Sequence, residues 1–347
     1  MKSNLLPSSS LSLSSLSFSS SPVPSAACRV PRSGLALLLG GLLAALGCSD
    51  EKGSGLGKDF RYDLTELRKV DPALIQYDEA DSIGVPLEAP RGLALDAAGR
   101  LYVAGDEAVV ALGTEAARLE LGGAPNCLAV GHDGLLYVGM RRHVEVWDPK
   151  GERKGAWESL GERARITSVA VGDGEVFVAD AGNRLVARYD LAGKRLGTIG
   201  KRDAARNIPG LVVPSPHLDV AIGREGLVWV VNPGRHKLEG YTPDGHLEVS
   251  WGKASAGIDG FCGCCNPTDF AVLPDGRFVT AEKGLPRVKV FSHDGTLEGV
   301  VAPPDSFHKD VAGLDLAVDA QGRILVLDPQ AKKVRVFVRK GTKDGNP

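Results

Sequence analysis

The chain has 347 residues, a formal net charge of −2 at pH 7 and 43% hydrophobic residues. Its 41 basic and 43 acidic residues are scattered, which excludes the concentrated positive charge of a nucleic-acid-binding surface. Six cysteines in this length are too few for a disulfide scaffold. The composition therefore indicates a folded protein with no nucleic-acid partner.

Residues 1–48 have the pattern of an export leader. Residues 1–33 are a Ser-rich, low-complexity segment that cannot build a core. Arg29 and Arg32 precede an apolar run at 34–46, whose length of about 13 residues suits a signal peptide and is too short to span a bilayer. A start near Val30 would give a signal of ordinary length, so we treat residues 1–29 as a candidate gene-model artefact.

The apolar run ends in Ala45-Leu46-Gly47-Cys48, which resembles a bacterial lipobox. Ala45 stands where Leu is usual, so a plain secretory signal is the alternative. The lipobox interpretation predicts that Cys48 carries lipid and anchors an exported protein to a membrane of the bacterial cell envelope. Residues 49–59 are expected to act as a Gly- and Ser-containing tether.

One short pattern recurs six times between residues 83 and 340. Each copy has an apolar strand, a Gly-containing turn and a second apolar strand, followed by an alternating third strand and, in most copies, a more polar fourth. The copies begin at Leu93, Leu128, Val169, Val220, Phe270 and Leu316. Their spacing of about 35 to 51 residues is typical of solenoids and propellers. The pattern predicts an all-β, six-bladed β-propeller of four-stranded antiparallel blades.

The last copy lacks a fourth strand, and residues 341–347 form a polar tail. The N-terminal segment, residues 60–82, is expected to contain a short helix near 63–70 and the missing strand at Leu74–Tyr77. We predict that this strand pairs beside Val334–Val338, because closing the ring removes an exposed sheet edge.

Val169–Arg184, with Asp180 and Asn183 after its second strand, closely resembles an NHL repeat. Looser versions of the repeat occur across residues 83 to 340. The resemblance implies a propeller whose relatives include scaffolds, ligand-binding proteins and a few metal-dependent lyases, so it implies fold more strongly than function. The Cys-Gly-Cys-Cys-Asn-Pro stretch that starts at Cys262 resembles a subgroup of exported bacterial NHL proteins.

The links between blades are long at residues 201–216, 253–267 and 303–313. Repeat proteins often place their binding loops on one face, which here would carry these links and the loops between second and third strands. The residues expected to meet a partner on that face are Asn232, Arg235, His236, Glu282, Lys283 and Arg287.

The starts of the six inner strands form a column: Gly92, Cys127, Ser168, Asp219, Asp269 and Asp315. By strand alternation, His217 lies on the same face as Asp219. One hypothesis is a ring at the channel mouth that holds Ca²⁺ or another hard cation. The alternative is that each Asp accepts hydrogen bonds from backbone N–H groups of the neighbouring blade.

The cluster Cys262-Gly263-Cys264-Cys265 lies in a Gly-rich link. Unpaired cysteines are reactive, so three so close together suggest chemistry rather than packing. One hypothesis is that the thiolates bind Zn²⁺, Cu⁺ or an iron–sulfur cluster. The other is disulfide formation, within the cluster or to Cys127, and free thiols are the remaining alternative. We expect this link to fold across the channel mouth, within reach of Cys127 and the Asp ring.

These features favour an exported binding or scaffold lipoprotein whose looped face meets a protein, glycan or redox partner. The alternative is a metal-dependent envelope lyase or hydrolase at the channel mouth, which would use His217 and the carboxylates. With seven His in the chain and only His217 in the ring, the pattern favours binding over catalysis. A third hypothesis is electron transfer through a cysteine-bound metal.

Overall fold

Alternating apolar residues and Gly turns produce 24 strands in the described residues, which are 65–113 and 117–341 of the computed structural model. All of them belong to the compact unit Arg61–Pro347. The leader, Cys48, the tether and most of the polar tail lie outside the described residues. No helix of the described part is long and apolar enough to cross a membrane.

The described strands form six four-stranded antiparallel sheets. The first strand of the chain is β1 (Tyr77–Gly84). Blade 1 contains β2 (Pro90–Leu95), β3 (Leu101–Gly105), β4 (Ala108–Leu112) and β5 (Ala117–Glu120). Blade 2 contains β6 (Cys127–Val130), β7 (Leu136–Gly139), β8 (Val144–Trp147) and β9 (Arg153–Ala156). Blade 3 contains β10 (Ile166–Val171), β11 (Glu175–Asp180), β12 (Leu185–Asp190) and β13 (Arg195–Ile199).

The second half of the ring repeats this arrangement. Blade 4 contains β14 (Val220–Ile222), β15 (Val228–Asn232), β16 (Lys237–Tyr241) and β17 (Leu247–Trp251). Blade 5 contains β18 (Asp269–Val272), β19 (Phe278–Ala281), β20 (Val288–Phe291) and β21 (Leu297–Ala302). Blade 6 contains β22 (Asp315–Val318), β23 (Ile324–Asp328) and β24 (Lys333–Arg339), completed by β1. The remaining elements are α1 (Thr65–Arg68) and 3₁₀ turns at Pro72–Leu74, Pro233–Arg235 and Pro304–Ser306.

The inner strands β2, β6, β10, β14, β18 and β22 contact one another in chain order, and β22 contacts β2. The blades therefore surround a central channel, which confirms the predicted six-bladed propeller. Positive-φ glycines make the tight turn between the first and second strands, as at Gly134 (φ 75°) and Gly276 (φ 90°). Residues that carry a side chain rarely adopt a positive φ, whereas Gly adopts it without strain.

Burial falls from the middle strands to the outermost strand in every blade except blade 5, whose β21 is mostly buried. Every residue of β3 and β15 is buried, whereas the outermost strands β5 and β9 are mostly exposed. Middle strands are covered on both faces by neighbouring blades, so they need apolar residues throughout. Outside blade 5 the outermost strand meets solvent, which explains why the fourth strand of those repeats is more polar than the middle strands.

An N-terminal strand closes the ring, as the sequence predicted. β1 pairs antiparallel with β24, with Ser82 opposite Arg335 and Ile83 opposite Val334. This joins the two ends of the described chain in one sheet and leaves blade 6 with the same four strands as the others.

The position predicted for the closing strand, Leu74–Tyr77, was wrong except for Tyr77. Leu74 ends a 3₁₀ turn and Ile75 bridges to Val300 of blade 5 instead. The prediction favoured the most apolar residues, but an outermost strand is exposed and does not require them. β1 is mostly exposed and carries Asp78, Glu79 and Asp81.

Candidate functional site at the channel mouth

Buried polar residues at the ends of second strands hold the inter-blade links against one end of the propeller. In each case a side-chain oxygen accepts a hydrogen bond from a link N–H at an N···O distance of 2.9 Å. The bonds run from Arg165 to Asp180, from Val212 to Asn232 and from Cys262 to Glu282. Asp180 and Asn232 are fully buried and Glu282 is 1% exposed, so the links are fixed from inside the fold.

This role separates the six residues expected to meet a partner into two groups. Asn232, Glu282 and Arg287 are buried, and their polar groups bond within the protein. Arg235 is exposed and Lys283 is half-buried. His236 is half-buried, and its Nε2 lies 2.7 Å from the carbonyl oxygen of Gly263, so it holds the cysteine link.

A buried ionic cluster fixes the same link. Both oxygens of Glu282 accept hydrogen bonds from Arg287 at 2.9 Å, and Lys289 Nζ lies 2.8 Å from Glu282 Oε1. The spare donors of the two cations face carbonyl oxygens of the link. Arg287 faces Ala256, Gly257 and Gly260 at 3.4 Å, and Lys289 donates to Ile258 and Gly260.

The cluster contains two cations and one anion, so the carbonyl dipoles must compensate the excess positive charge. The pKa of Lys289 is lowered to about 8 by burial, which Glu282 opposes and the charge of Arg287 reinforces. Phe261 and Phe291 lie under the ammonium, 4.7 and 5.0 Å from Nζ to the ring centroids. The buried charges of Glu282, Arg287 and Lys289 therefore hold the link in place, which the sequence pattern did not predict.

A cavity of about 230 Å³ opens at the end of the channel where these links gather; we call it the mouth cavity. Inter-blade links or inner-strand starts from all six blades line it. The lining residues that carry polar side chains are Arg91, Asn126, Arg165, Thr167, His217, Asp219, Thr268, Asp269 and Asp315. The structure thus brings together His217 and the three carboxylates that the sequence selected.

His217 contributes a neutral imidazole to the mouth cavity. Burial, together with the nearby charges of Lys283 and Arg165, lowers the pKa of His217 to about 4. At neutral pH the ring is therefore uncharged, with one nitrogen that accepts hydrogen bonds and one that donates.

Each Asp of the ring reaches the next blade. Asp219 Oδ2 accepts the N–H of Phe270 at 2.8 Å, Asp269 Oδ1 accepts that of Leu316 at 3.0 Å, and Asp315 Oδ2 accepts that of Leu93. These are the backbone hydrogen bonds to the neighbouring blade that the sequence analysis gave as the alternative to a cation site. The same three side chains also line the mouth cavity and the channel below it, a second cavity of about 310 Å³.

Burial raises the pKa of all three carboxyl groups. The pKa rises to about 7 for Asp219 and to about 6 for Asp315, and it lies well above its usual value for Asp269, where both neighbouring carboxylates add to the effect of burial. A positive charge placed beside these three carboxyl groups would therefore favour their ionised forms.

The other half of the column is apolar or small. A Cβ at Gly92 would lie 2.8 Å from the Cα of Cys127, so the close approach of blades 1 and 2 requires glycine there. Cys127 is 7% exposed and packs in the core with Ile166 and Val169. Within 65–113 and 117–341, no three His, Cys, Asp or Glu side chains are grouped so that they could hold a metal ion.

All four described cysteines are free thiols, so the structure contains no bridge between Cys127 and the cluster. Cys262, Cys264 and Cys265 are not among the residues that line the mouth cavity. Cys264 is exposed and Cys265 is buried, and their sulfurs are 3.3 Å apart. Asn266 ties the cluster to the loop after β19, because it bonds the Cys262 carbonyl and both backbone groups of Lys283.

Sequence reasoning missed Arg91, Asn126 and Arg165 at the mouth. They lie in the links just before or at the start of inner strands, outside the apolar repeat on which the pattern was aligned. Aligning the residues immediately ahead of each inner strand would have found them.

No family model matches the chain, and no curated protein matches it. Among solved structures, virginiamycin B lyase from Staphylococcus aureus is 12% identical with a TM-score of 0.53, covering 77% of this chain and 90% of that one. A streptogramin B lyase is 10% identical with a TM-score of 0.54, covering 78% and 100%. A protein of unknown function from Bacteroides thetaiotaomicron is 16% identical with a TM-score of 0.52, covering 76% and 72%. At these identities the likeness shows the fold alone, and the chain is a six-bladed β-propeller.

Proposed function

We propose that the protein is an exported, lipid-anchored propeller that binds a small polar group of a partner at its channel mouth. The observation that carries this proposal is the mouth cavity of about 230 Å³, lined with polar side chains. Pockets for drug-sized ligands measure roughly 300–1,000 Å³. The mouth therefore suits one protruding group of a protein, glycan or redox partner, such as a side chain or a sugar ring.

The electrostatics favour a group with a positive tip. Three carboxyl groups with raised pKa values line the cavity, and a cation placed among them would favour their ionised forms. Arg165, exposed at the rim, would pair with an acceptor or an anionic group at the outer end of the ligand. An amine that also carries an acceptor, as in an amino acid or an amino sugar, has this pattern of charge.

The test is thermal unfolding of the full-length protein with lysine, arginine, glucosamine and uncharged glucose as probes. We expect the amines to raise the Tm more than glucose, and more at pH 8 than at pH 5, because binding displaces protons from the carboxyl groups. Asp315→Asn and His217→Ala should lose the shift. Lys194→Ala, in the hairpin turn after β12 at the opposite end, should retain it. Equal shifts with glucose, no shift with any probe, or shifts that survive both mouth substitutions would contradict the proposal.

Membrane anchoring through Cys48 is supported by the lipobox-like run 45–48 and by the leader. We expect the wild-type protein to fractionate with envelope membranes and to require detergent for release. Cys48→Ala should be recovered in the soluble fraction, and equal solubility of the two proteins would exclude the lipid anchor.

The NHL resemblance belongs to the same proposal. The turn that follows Asp180 supports it: Asp180 Oδ1 accepts the N–H groups of Arg165 and Asn183, and Asn183 Nδ2 donates to Asp180 Oδ2 at 2.6 Å. Asp180 and Asn183 of the repeat therefore have a structural role, because they join the turn after β11 to the preceding inter-blade link.

A metal-dependent lyase or hydrolase is the second candidate. It is favoured by the neutral His217 beside the carboxylates, and two of the similar propellers above are lyases. This candidate requires that a divalent cation bind at the mouth. We expect Mg²⁺, Mn²⁺ or Zn²⁺ to raise the Tm of the wild type and not of His217→Ala if it holds, and EDTA to reverse the effect.

A further inference from the structure

The two adjacent thiols of the cysteine link lie in contact and differ in environment. The Sγ atoms of Cys264 and Cys265 are 3.3 Å apart, close to van der Waals contact and about 1.3 Å beyond a disulfide bond. Cys264 is exposed, whereas Cys265 is 5% exposed. An exposed sulfur backed by a second, protected sulfur is the arrangement needed for two-step thiol–disulfide exchange.

Polar neighbours favour the thiolate of Cys265. Burial raises its pKa, but contacts with Ser215, Cys264 and Lys283 outweigh burial, so that the pKa of Cys265 is lower than usual. Within the described residues, the buried hydroxyl of Ser215 has no hydrogen-bond partner, so it can donate to a thiolate on Cys265. The contact with Cys265 raises the pKa of Cys264, so the inner sulfur ionises more readily than the outer one.

The loop that carries the pair is fixed from several sides. His236 holds the Gly263 carbonyl, Glu282 accepts the Cys262 N–H, and Asn266 bonds the Cys262 carbonyl at 2.6 Å. These contacts hold the two sulfurs beside each other and reduce the entropy that the pair loses when it closes into a ring.

We propose that Cys264 and Cys265 form a redox site that exchanges with an external aliphatic disulfide. The Cys264 thiol loses its proton, and its sulfur attacks the external disulfide and releases one thiolate, which takes up a proton. The Cys265 thiol then loses its proton, and its sulfur attacks Cys264 Sγ in the mixed disulfide and releases the second thiolate, which takes up a proton. Two thiols are oxidised to one disulfide while the external disulfide is reduced to two thiols, with two electrons and two protons transferred.

The product is a reversible switch rather than a structural crosslink. A bond between adjacent residues closes a short, strained ring, and strained or exposed disulfides are the easily reduced ones. It also joins no distant segments, so it removes little entropy from the unfolded chain.

The test uses the full-length protein, reduced and then incubated without oxygen in glutathione buffers of increasing oxidised fraction, and analysed by mass spectrometry after acid quenching. We expect wild type to lose two hydrogens in the peptide that contains Cys264 and Cys265, and dithiothreitol to restore them. Cys265→Ser should instead retain one glutathione on Cys264. Cys264→Ser should react slowly, because its remaining sulfur is buried. Phenylarsine oxide, a probe for paired thiols, should bind reduced wild type and neither variant.

Cys127→Ser is the matched control and should oxidise as wild type does. Lys283→Gln should shift the pH dependence of Cys265 alkylation to higher pH, which a purely structural lysine would not do. Wild type that stays reduced, that accumulates stable glutathione adducts, or that forms a Cys262–Cys264 bond would overturn the inference. A protein disulfide as the natural partner would show as faster oxidation by oxidised thioredoxin than by glutathione disulfide. The inference is independent of the proposed ligand binding and anchoring, because the exchange is measured without probe ligand or membrane.

Discussion

Three carboxyl groups meet at the inner ends of blades 4, 5 and 6, where Asp219 is buried and Asp269 and Asp315 are half-buried. Each holds the next blade through a backbone N–H, so each is required for packing. Ionising them costs free energy, because burial disfavours each carboxylate and the charges of neighbouring carboxylates repel one another. A residue that stabilises the ring by hydrogen bonding thus destabilises it by charge at neutral pH.

Asp315→Asn should separate these two effects. The folded-state pKa of Asp315, about 6, lies above its unfolded value of 3.8, so the folded state binds more protons between these limits and loses stability as pH rises through about 6. An Asn oxygen still accepts the Leu93 N–H but never ionises. We expect the stability of the variant relative to wild type to rise by about 2 kcal/mol between pH 4.5 and pH 7.5, measured by urea unfolding.

The control is Asp305→Asn, which removes an exposed carboxylate paired with Arg68. Its effect should be small and should not grow between pH 4.5 and 7.5. An Asp315→Asn variant that is less stable than wild type at pH 7.5 would show that the inter-blade hydrogen bond outweighs the charge.

At the scale of elements, the link 253–267 behaves as part of blade 5. Arg287 and Lys289 of blade 5 hold its carbonyl oxygens, and Phe261 of the link packs against Phe291 with ring centroids 5.5 Å apart. The link is therefore a fixed platform for the cysteines rather than a free loop. Its carbonyl oxygens accept hydrogen bonds from the two buried cations, which an apolar blade surface could not do.

Glu282→Gln should destabilise this platform strongly. The substitution leaves two buried cations without an anion, and breaking a buried ion pair costs about 3–5 kcal/mol. We expect a loss of that size in urea unfolding, together with faster alkylation of Cys265 as the link loosens.

The matched control is Asp259→Asn in the same link. Asp259 pairs with Lys253 at the surface, and both side chains are more than half exposed. Exposed pairs contribute about 0–1 kcal/mol, so this variant should differ little from wild type. Equal losses in the two variants would show that the buried cluster is not what holds the link.

At the scale of the whole molecule, stability depends on closing the ring. β1 covers the hydrogen-bonding edge of β24, and Glu79 reinforces the pairing by accepting two hydrogen bonds from Arg335, at 3.0 and 2.6 Å. Without β1, blade 6 would expose an unpaired edge, which invites pairing with other chains.

A chain that begins at Val85 should therefore have a lower Tm and form soluble aggregates, whereas a chain that begins at Thr65 should be monomeric. Size-exclusion chromatography and thermal unfolding would measure both effects. Adding a synthetic peptide of residues 77–84 should restore the Tm of the shorter chain, since an added strand can complete an open sheet edge. A scrambled peptide is the control, and a shorter chain as stable as the longer one would exclude strand closure as a source of stability.

The sequence determined the blades because their chemistry is local. Alternating apolar residues, Gly turns and the spacing of about 35 to 51 residues depend only on neighbours along the chain. The same local pattern identified the need for a closing strand and placed Asp219, Asp269 and Asp315 at equivalent positions. It misplaced the closing strand, because the strand that fills an exposed edge carries no apolar signature.

Only the tertiary structure decided which polar residues face solvent and which are buried. Asn232, Glu282 and Arg287 are residue types that are common in binding loops. Each instead hydrogen-bonds a residue of the preceding inter-blade link, 20 to 27 positions earlier in the chain. Adjacent in sequence, Cys264 and Cys265 acquire different environments from Ser215 and Lys283, which come from other segments. Burial and pKa depend on what packs against a residue, and in a ring of blades those neighbours come from distant parts of the chain.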